Sequence, residues 1–353
     1  MWIQVSLIAI LFVVFLVVIV LRKTRDKKTW LAYQVPENYD FRAKTDPLFQ
    51  PFDELFPVAE HIDDALLVMF SDYGDIDNHI ERVPYPPRSY VYAIAGSDLM
   101  ANKALLAETF QKAGMERYIP KTYIVKEGID VPDGTYFLKK NVQRQEGAMI
   151  TRDRNYIRDG AAKDGYVVCQ ELLQDPMLVN GRKVNMRYYL LVVTNGKDAK
   201  FYVYKNGFMY YTPERFKKGS IDKQVNVTTG YIDRRVYEEN PLTHSDLYNY
   251  MGSTEAARLE KNTLGFFRQF RALYQKMILE ANMGTRNMRF NVFGVDIAPD
   301  ETLGVKIMEV NKAPDLSYKD QRDAAVKLNM VRDMLALVGV GGKGGDQDNF
   351  LML

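Results

Sequence analysis

Apolar positions along the chain follow two periods, and one stretch follows neither. Residues 98–114 (DLMANKALLAETFQKAG) set Leu99, Leu105, Leu106 and Phe110 near helical spacing, with Ser97 or Asp98 to cap the start and Gly114 to stop it. A longer helix is predicted from Thr254 to Asn282. Leu259, Phe266, Phe270, Leu273 and Ile278 are among its apolar contacts, and Arg258, Lys261, Arg268, Arg271 and Lys276 form a solvated face. Residues 322–338 predict a closing helix, while 121–125, 135–140, 166–173, 290–297 and 305–311 predict strands. Between them RKVNMRYYLLVVT turns at Asn195 and Gly196 into KFYVYK, and that run turns at Asn206 and Gly207 into FMYYT, a three-strand meander.

The exception is residues 2–21, WIQVSLIAILFVVFLVVIVL, uncharged and as a helix about 30 Å long. Nothing basic precedes it, and Arg22, Lys23, Arg25, Lys27 and Lys28 follow. That asymmetry predicts an uncleaved single-pass membrane anchor with its N-terminus outside and the body cytoplasmic. The fold class is α+β, organised as an anchor with basic flank (1–28), a small N-terminal subdomain (29–130), a central subdomain (131–192), a C-terminal subdomain (193–340) and a mobile glycine-rich tail (341–353).

Composition narrows the function. The chain has 353 residues, 47% hydrophobic and 26% charged, which is globular. A formal charge of +2 gives no basic excess for nucleic acid. Cys169 is the single cysteine, so there is no intramolecular disulfide, and YVVCQELL around it predicts a small buried hydrophobe rather than a nucleophile. With only His61, His79 and His244, no cluster is spaced for zinc. There is no GxxxxGK[ST] and no GxGxxG.

The chemistry concentrates in two places. If the chain turns near 299–304, Asp296 comes opposite Glu309, and Glu309 and Asn311 share a strand face. Facing carboxylates repel unless a cation lies between them. With the Asn311 oxygen they make an all-oxygen set suited to Mg²⁺, the alternative being two solvent-facing acids on an exposed hairpin. Lys183, Asn185 and Arg187 share one face of a strand, which either meets solvent or lines a cleft for an anion. Lys139, in YFLKK, is a strand lysine, either a solvated end or a ligand, and the polar stretch 141–147 ending in Gly147 predicts a flexible lid.

Several segments, in order, resemble the tubulin tyrosine ligase-like family of ATP-grasp ligases: IAGSDLMANKALL, RYIPKTYIV, YFLKK, VVCQELLQDPMLVNGRKVNMRYYLLV and FNVFGVDIAPDETLGVKIMEVNKAPDL. The similarity runs from about Tyr92 to Asp320 and implies an ATP-grasp-like fold. By that resemblance Lys139 and Lys183 contact ATP, and Gln170, Glu171 and Leu172 form the adenine-side hinge. Arg187 faces the γ-phosphate, and Asp296, Glu309 and Asn311 hold Mg²⁺. Asn185 and Thr228 fall among the family's nucleotide and acceptor positions. The implied activity joins an amino acid of the glutamate or tyrosine class to a carboxylate of a protein acceptor, tubulin in the family, through an acyl phosphate. Asn185, Tyr210 and Asn226 depart from the family's residues. They support a second reading, a membrane-tethered ATP-binding pseudoenzyme or scaffold without ligase turnover.

Overall fold

A computed structural model describes residues 32–35, 50–57, 59–70, 76–142, 147–230, 232–340 and 344–353. Its strands are β1 (Ala32–Val35), β2 (Leu67–Phe70), β3 (Tyr90–Tyr92), β4 (Thr122–Ile124), β5 (Tyr136–Lys139), β6 (Ala148–Thr151) and β7 (Val168–Glu171), followed by β8 (Leu178–Val179), β9 (Arg182–Thr194), β10 (Ala199–Tyr204), β11 (Phe208–Tyr211), β12 (Met288–Pro299), β13 (Val305–Asn311) and β14 (Phe350–Met352). They form two sheets in a mixed α+β fold. One is ten-stranded, in the order β1-β2-β3-β12-β9-β10-β14, with β8 and β11 on β9 and β13 on β12; the other is four-stranded, in the order β4-β7-β5-β6.

β9 is the spine of the large sheet. Its near-continuous apolar second half, Tyr188 to Val193, is buried, as a strand covered on both faces requires. The helix Ser253–Ala281 packs Leu259, Phe266, Phe267, Phe270, Tyr274 and Ile278 into the same core. Each such burial contributes about 1.5–3 kcal/mol. Helix Gln321–Val338 starts at Asp320, whose side chain accepts from the Asp323 N–H, and stops at Gly339 in the left-handed region. The small sheet has its own core, in which Tyr136, Leu138, Ile157 and Cys169 meet. The Cys169 thiol is buried and pushed up to about 12 by desolvation, so it is inert, as its setting predicted.

The structure departs from the sequence pattern at five points. The helix predicted over 98–114 is two, Asp98–Ala101 and Lys103–Lys112, because Asn102 turns extended (ψ 121°) and its side chain caps the second by accepting from the Ala104 and Leu105 N–H groups. The Asn206–Gly207 step is no hairpin: β10 and β11 both pair with β9, end to end along one edge. Gly207 is required there for space. A Cβ would lie 2.1 Å from the Arg187 carbonyl oxygen and 2.6 Å from His244 Cε1. A two-residue hairpin does form at Asn180 and Gly181, both at positive φ (48° and 79°), joining β8 to β9.

The tail, expected to be mobile, is paired where it is described. Phe350–Met352 adds as β14 to the edge of β10, with Tyr204 opposite Phe350. The membrane-anchored, N-terminus-outside topology also requires correction. Among the described residues no helix is long and apolar enough to cross a membrane, and the run 2–21 lies outside the described residues. So do residues 143–146 of the predicted lid.

Candidate active site

Between the two sheets lies a cleft of about 680 Å³. Its floor is the cationic face of β9. Lys183, Asn185 and Arg187 all line it, while Val184 and Met186 point into the core and are fully buried. Period two thus separates the strand into a chemical face and a packing face. The wall from β12 and β13 is the predicted hairpin, with Asp296 opposite Glu309 and a tight turn at Asp300–Gly304. Lys139, Gln170, Glu171 and Leu172 come from the small sheet and Thr228 from the loop after β11. Every candidate site residue taken from the sequence therefore lines one cavity.

Across three neighbouring strands runs a charged row, Arg187 on β9, Asp296 on β12 and Glu309 on β13. Arg187 Nε donates to Asp296 Oδ1 at 2.6 Å and Nη2 to Oδ2 at 2.9 Å, with both side chains about nine-tenths buried. Burial raises the Asp296 carboxyl to about 6, against the pull of Arg187. Burial also opposes ionisation of Glu309, but Lys103, Lys139 and Arg187 outweigh it and hold that carboxyl below its ordinary range. Asn311 Nδ2 donates to Glu309 Oε1 at 3.2 Å, leaving the carboxamide oxygen as its acceptor toward a cation.

Two lysines share the cavity with this row. Lys139 Nζ donates to the Met308 carbonyl at 3.2 Å, and Lys183 Nζ lies 3.4 Å from the Leu173 carbonyl. Burial pushes both ammonium groups down to about 8; Glu309 partly restores the charge on Lys139, and the charge on Lys139 lowers Lys183 further. On β7, Gln170 is buried. Its Nε2 donates to Thr122 Oγ1 at 3.0 Å, and among the described residues its Oε1 has no hydrogen-bond partner, which fits an incoming N–H. The backbone N–H groups of Glu171 and Leu172 are already bonded, to Lys121 and Thr135, and the Glu171 carboxylate reaches Lys121 at 3.2 Å.

The donor set bears on a metal. Among the described residues no three His, Cys, Asp or Glu side chains are grouped so as to hold one alone. Two carboxylates and one carboxamide are hard oxygen ligands and fit a divalent ion that takes its remaining ligands from phosphate and water.

Several cleft residues escaped the sequence reading. Lys103 lines the wall, its Nζ 3.8 Å from Glu309 Oε2 and donating to the Val142 carbonyl at 3.1 Å. The capping asparagine before it was the available signal. Tyr210 did not escape that reading, being one of the departures from the family's residues; opposite Asn185 in register, it sets its ring centroid 5.0 Å from the Arg187 guanidinium carbon. At the far end, Arg234 pairs with Asp320, Lys319 with Asp315 and Lys327 with Asp323.

Residues 123–346 match the Tubulin-tyrosine ligase family. The chain belongs to that family. A probable tubulin polyglutamylase TTLL9 of Bos taurus is 24% identical over 210 residues, covering 56% of this chain and 44% of the relative. A probable tubulin polyglutamylase ttll-9 of Caenorhabditis elegans is 22% identical over 277 residues, covering 69% and 65%. A probable alpha-tubulin polyglutamylase Ttll1 of Tetrahymena thermophila is 21% identical over 225 residues, covering 62% and 54%. The match spans about half to two thirds of the length of these family members.

Proposed function

We propose that the cleft is the active centre of an ATP-dependent ligase of ATP-grasp type, joining a free amino acid by its amine to a carboxylate of a protein acceptor. The names of the relatives point to glutamate as the amino acid and tubulin as the acceptor class. The observation that carries the reading is one cavity that holds the row Arg187–Asp296–Glu309 and two buried lysines, Lys183 on the same strand face as Arg187 and Lys139 from the small sheet.

In this reading the γ-phosphoryl group of ATP passes to the acceptor carboxylate, releasing ADP. The acyl phosphate is then attacked by the amine, releasing phosphate and a proton. Catalysis of this kind is positioning plus charge neutralisation, and no protein nucleophile is needed. Lys139 and Lys183 would take the phosphates, Arg187 the γ-phosphate and Gln170 the adenine edge. Glu171 and Leu172 would line the base pocket, and Asn185 and Thr228 the ribose and acceptor side. Asp296, Glu309 and Asn311 would hold Mg²⁺, which when bound neutralises the charge that builds up during phosphoryl transfer. Incubation with ATP, Mg²⁺, labelled glutamate and tubulin should give ATP-dependent incorporation. Nucleotide binding without incorporation into any carboxylate acceptor would instead support a non-catalytic module, the reading favoured by the Tyr210 ring lying over Arg187.

A further inference from the structure

Asp296 stands between two partners that make opposite demands. In register with it on β9 is Arg187, and on β13 is Glu309. Both of its oxygens accept hydrogen bonds from the guanidinium, at 2.6 and 2.9 Å. A dication shared by Asp296 and Glu309 would draw on the same carboxylate charge, beside a fixed positive group, where burial leaves little solvent to screen the repulsion. Taking only the identity of metal and nucleotide from the ligase reading, we infer that Arg187 and a divalent cation compete for Asp296. The metal gains its full hold on that carboxylate when a triphosphate draws Arg187 away.

The surroundings of Arg187 suit such an exchange. The Tyr210 ring lies on one side, its centroid 5.0 Å from the guanidinium carbon. Gly294 lies on another, where a Cβ would come within 3.0 Å of Arg187 Nη1. A flat aromatic face and bare backbone leave a slot along which a planar guanidinium can slide without breaking a directional bond to either wall. Lys103 lies 3.8 Å from Glu309, and Lys139 is drawn by Glu309 more than by Asp296; among the described residues Arg187 is the cation that hydrogen-bonds Asp296, and so the one that contests it. Metal and triphosphate are then coupled, each tightening the other by the same factor.

Mn²⁺ serves as the probe, its free concentration read by electron paramagnetic resonance with the full chain at pH 7.5. Without nucleotide, Arg187→Gln should bind Mn²⁺ about tenfold or more tighter than the unaltered chain, and Arg187→Lys, which keeps the charge, should not. Adding Asp296→Asn to Arg187→Gln should abolish the gain. Equal Mn²⁺ affinity with and without Arg187, or a gain that survives Asp296→Asn, overturns the competition. If Arg187→Gln fails to fold by circular dichroism, the unaltered chain decides: Mn²⁺ bound as tightly without a β,γ-imido analogue of ATP as with it is equally fatal. The readout is metal binding. A chain that behaves as expected yet transfers no amino acid would discard the ligase reading and keep this one, and the reverse result would discard this one alone.

Discussion

Glu309 is the side chain where one atom matters most. Glu309→Gln preserves shape and the bond from Asn311 but removes the charge that Lys103 and Lys139 stabilise. Amino-acid transfer should fall by about 10² or more with the fold intact, and activity within a fewfold of normal would rule out its role. Lys139 and Lys183 give a pH dependence. With their ammonium groups lowered to about 8, both are charged below that value and lose charge above it. Affinity for a fluorescent ATP analogue should be flat from about pH 6.5 to 7.5 and weaken above about 8, approaching tenfold per unit for each proton that must be taken up. An affinity unchanged to about pH 9.5 would mean that binding does not depend on an ammonium lowered to near 8. His244 titrates in the other direction, on stability. Fully buried against Tyr188, it is pushed down to about 3. Its unfolded form takes a proton near 6.5, so its contribution is complete above that value and is lost as pH falls from there toward 3. At about pH 5 the loss should be about 2 kcal/mol, visible in denaturant melts and absent in His244→Phe.

Elements were legible where a pattern had a single physical cause. In the β12–β13 hairpin, alternation together with a turn near 299–304 sets Asp296 opposite Glu309, whereas the one-residue register shift just after Asp296 leaves no mark in the pattern. The face of β9 was equally readable, but whether it met solvent or a cleft was not, since that depends on the small sheet across from it. The Asn206–Gly207 dipeptide misled because a turn signal reports local backbone freedom, whereas this glycine answers to tertiary crowding by Arg187 and His244. The difference is testable. Gly207→Ala should cost about 3 kcal/mol or more. Gly219→Ala, where a Cβ meets nothing within 4 Å, should cost only the strain of its φ of +78°, about 1–2 kcal/mol. Equal losses in thermal melts would refute the crowding argument. The break at Asn102 was missed because apolar spacing continues through it, and only the cap geometry shows two helices.

At the scale of the molecule, the C-terminal residues close the large sheet. β14 covers the edge of β10, and Asp333, buried in the closing helix, accepts from Tyr204, from the Asp346 N–H and from Asn349. Deleting residues 346–353 should bare that edge, lowering the melting temperature and speeding amide exchange at Tyr202–Tyr204; unchanged exchange would mean the strand protects nothing. The glycine-rich composition of 341–353 hid this because three residues of strand need a neighbour, and the neighbour is more than a hundred positions away. The cleft itself has walls from different sheets, and the hydrogen bond from Lys139 to the Met308 carbonyl crosses from one to the other. That ammonium is a latch between the two walls. On the proposed reading, a phosphate that claims it draws on the same three protons that fasten one wall to the other.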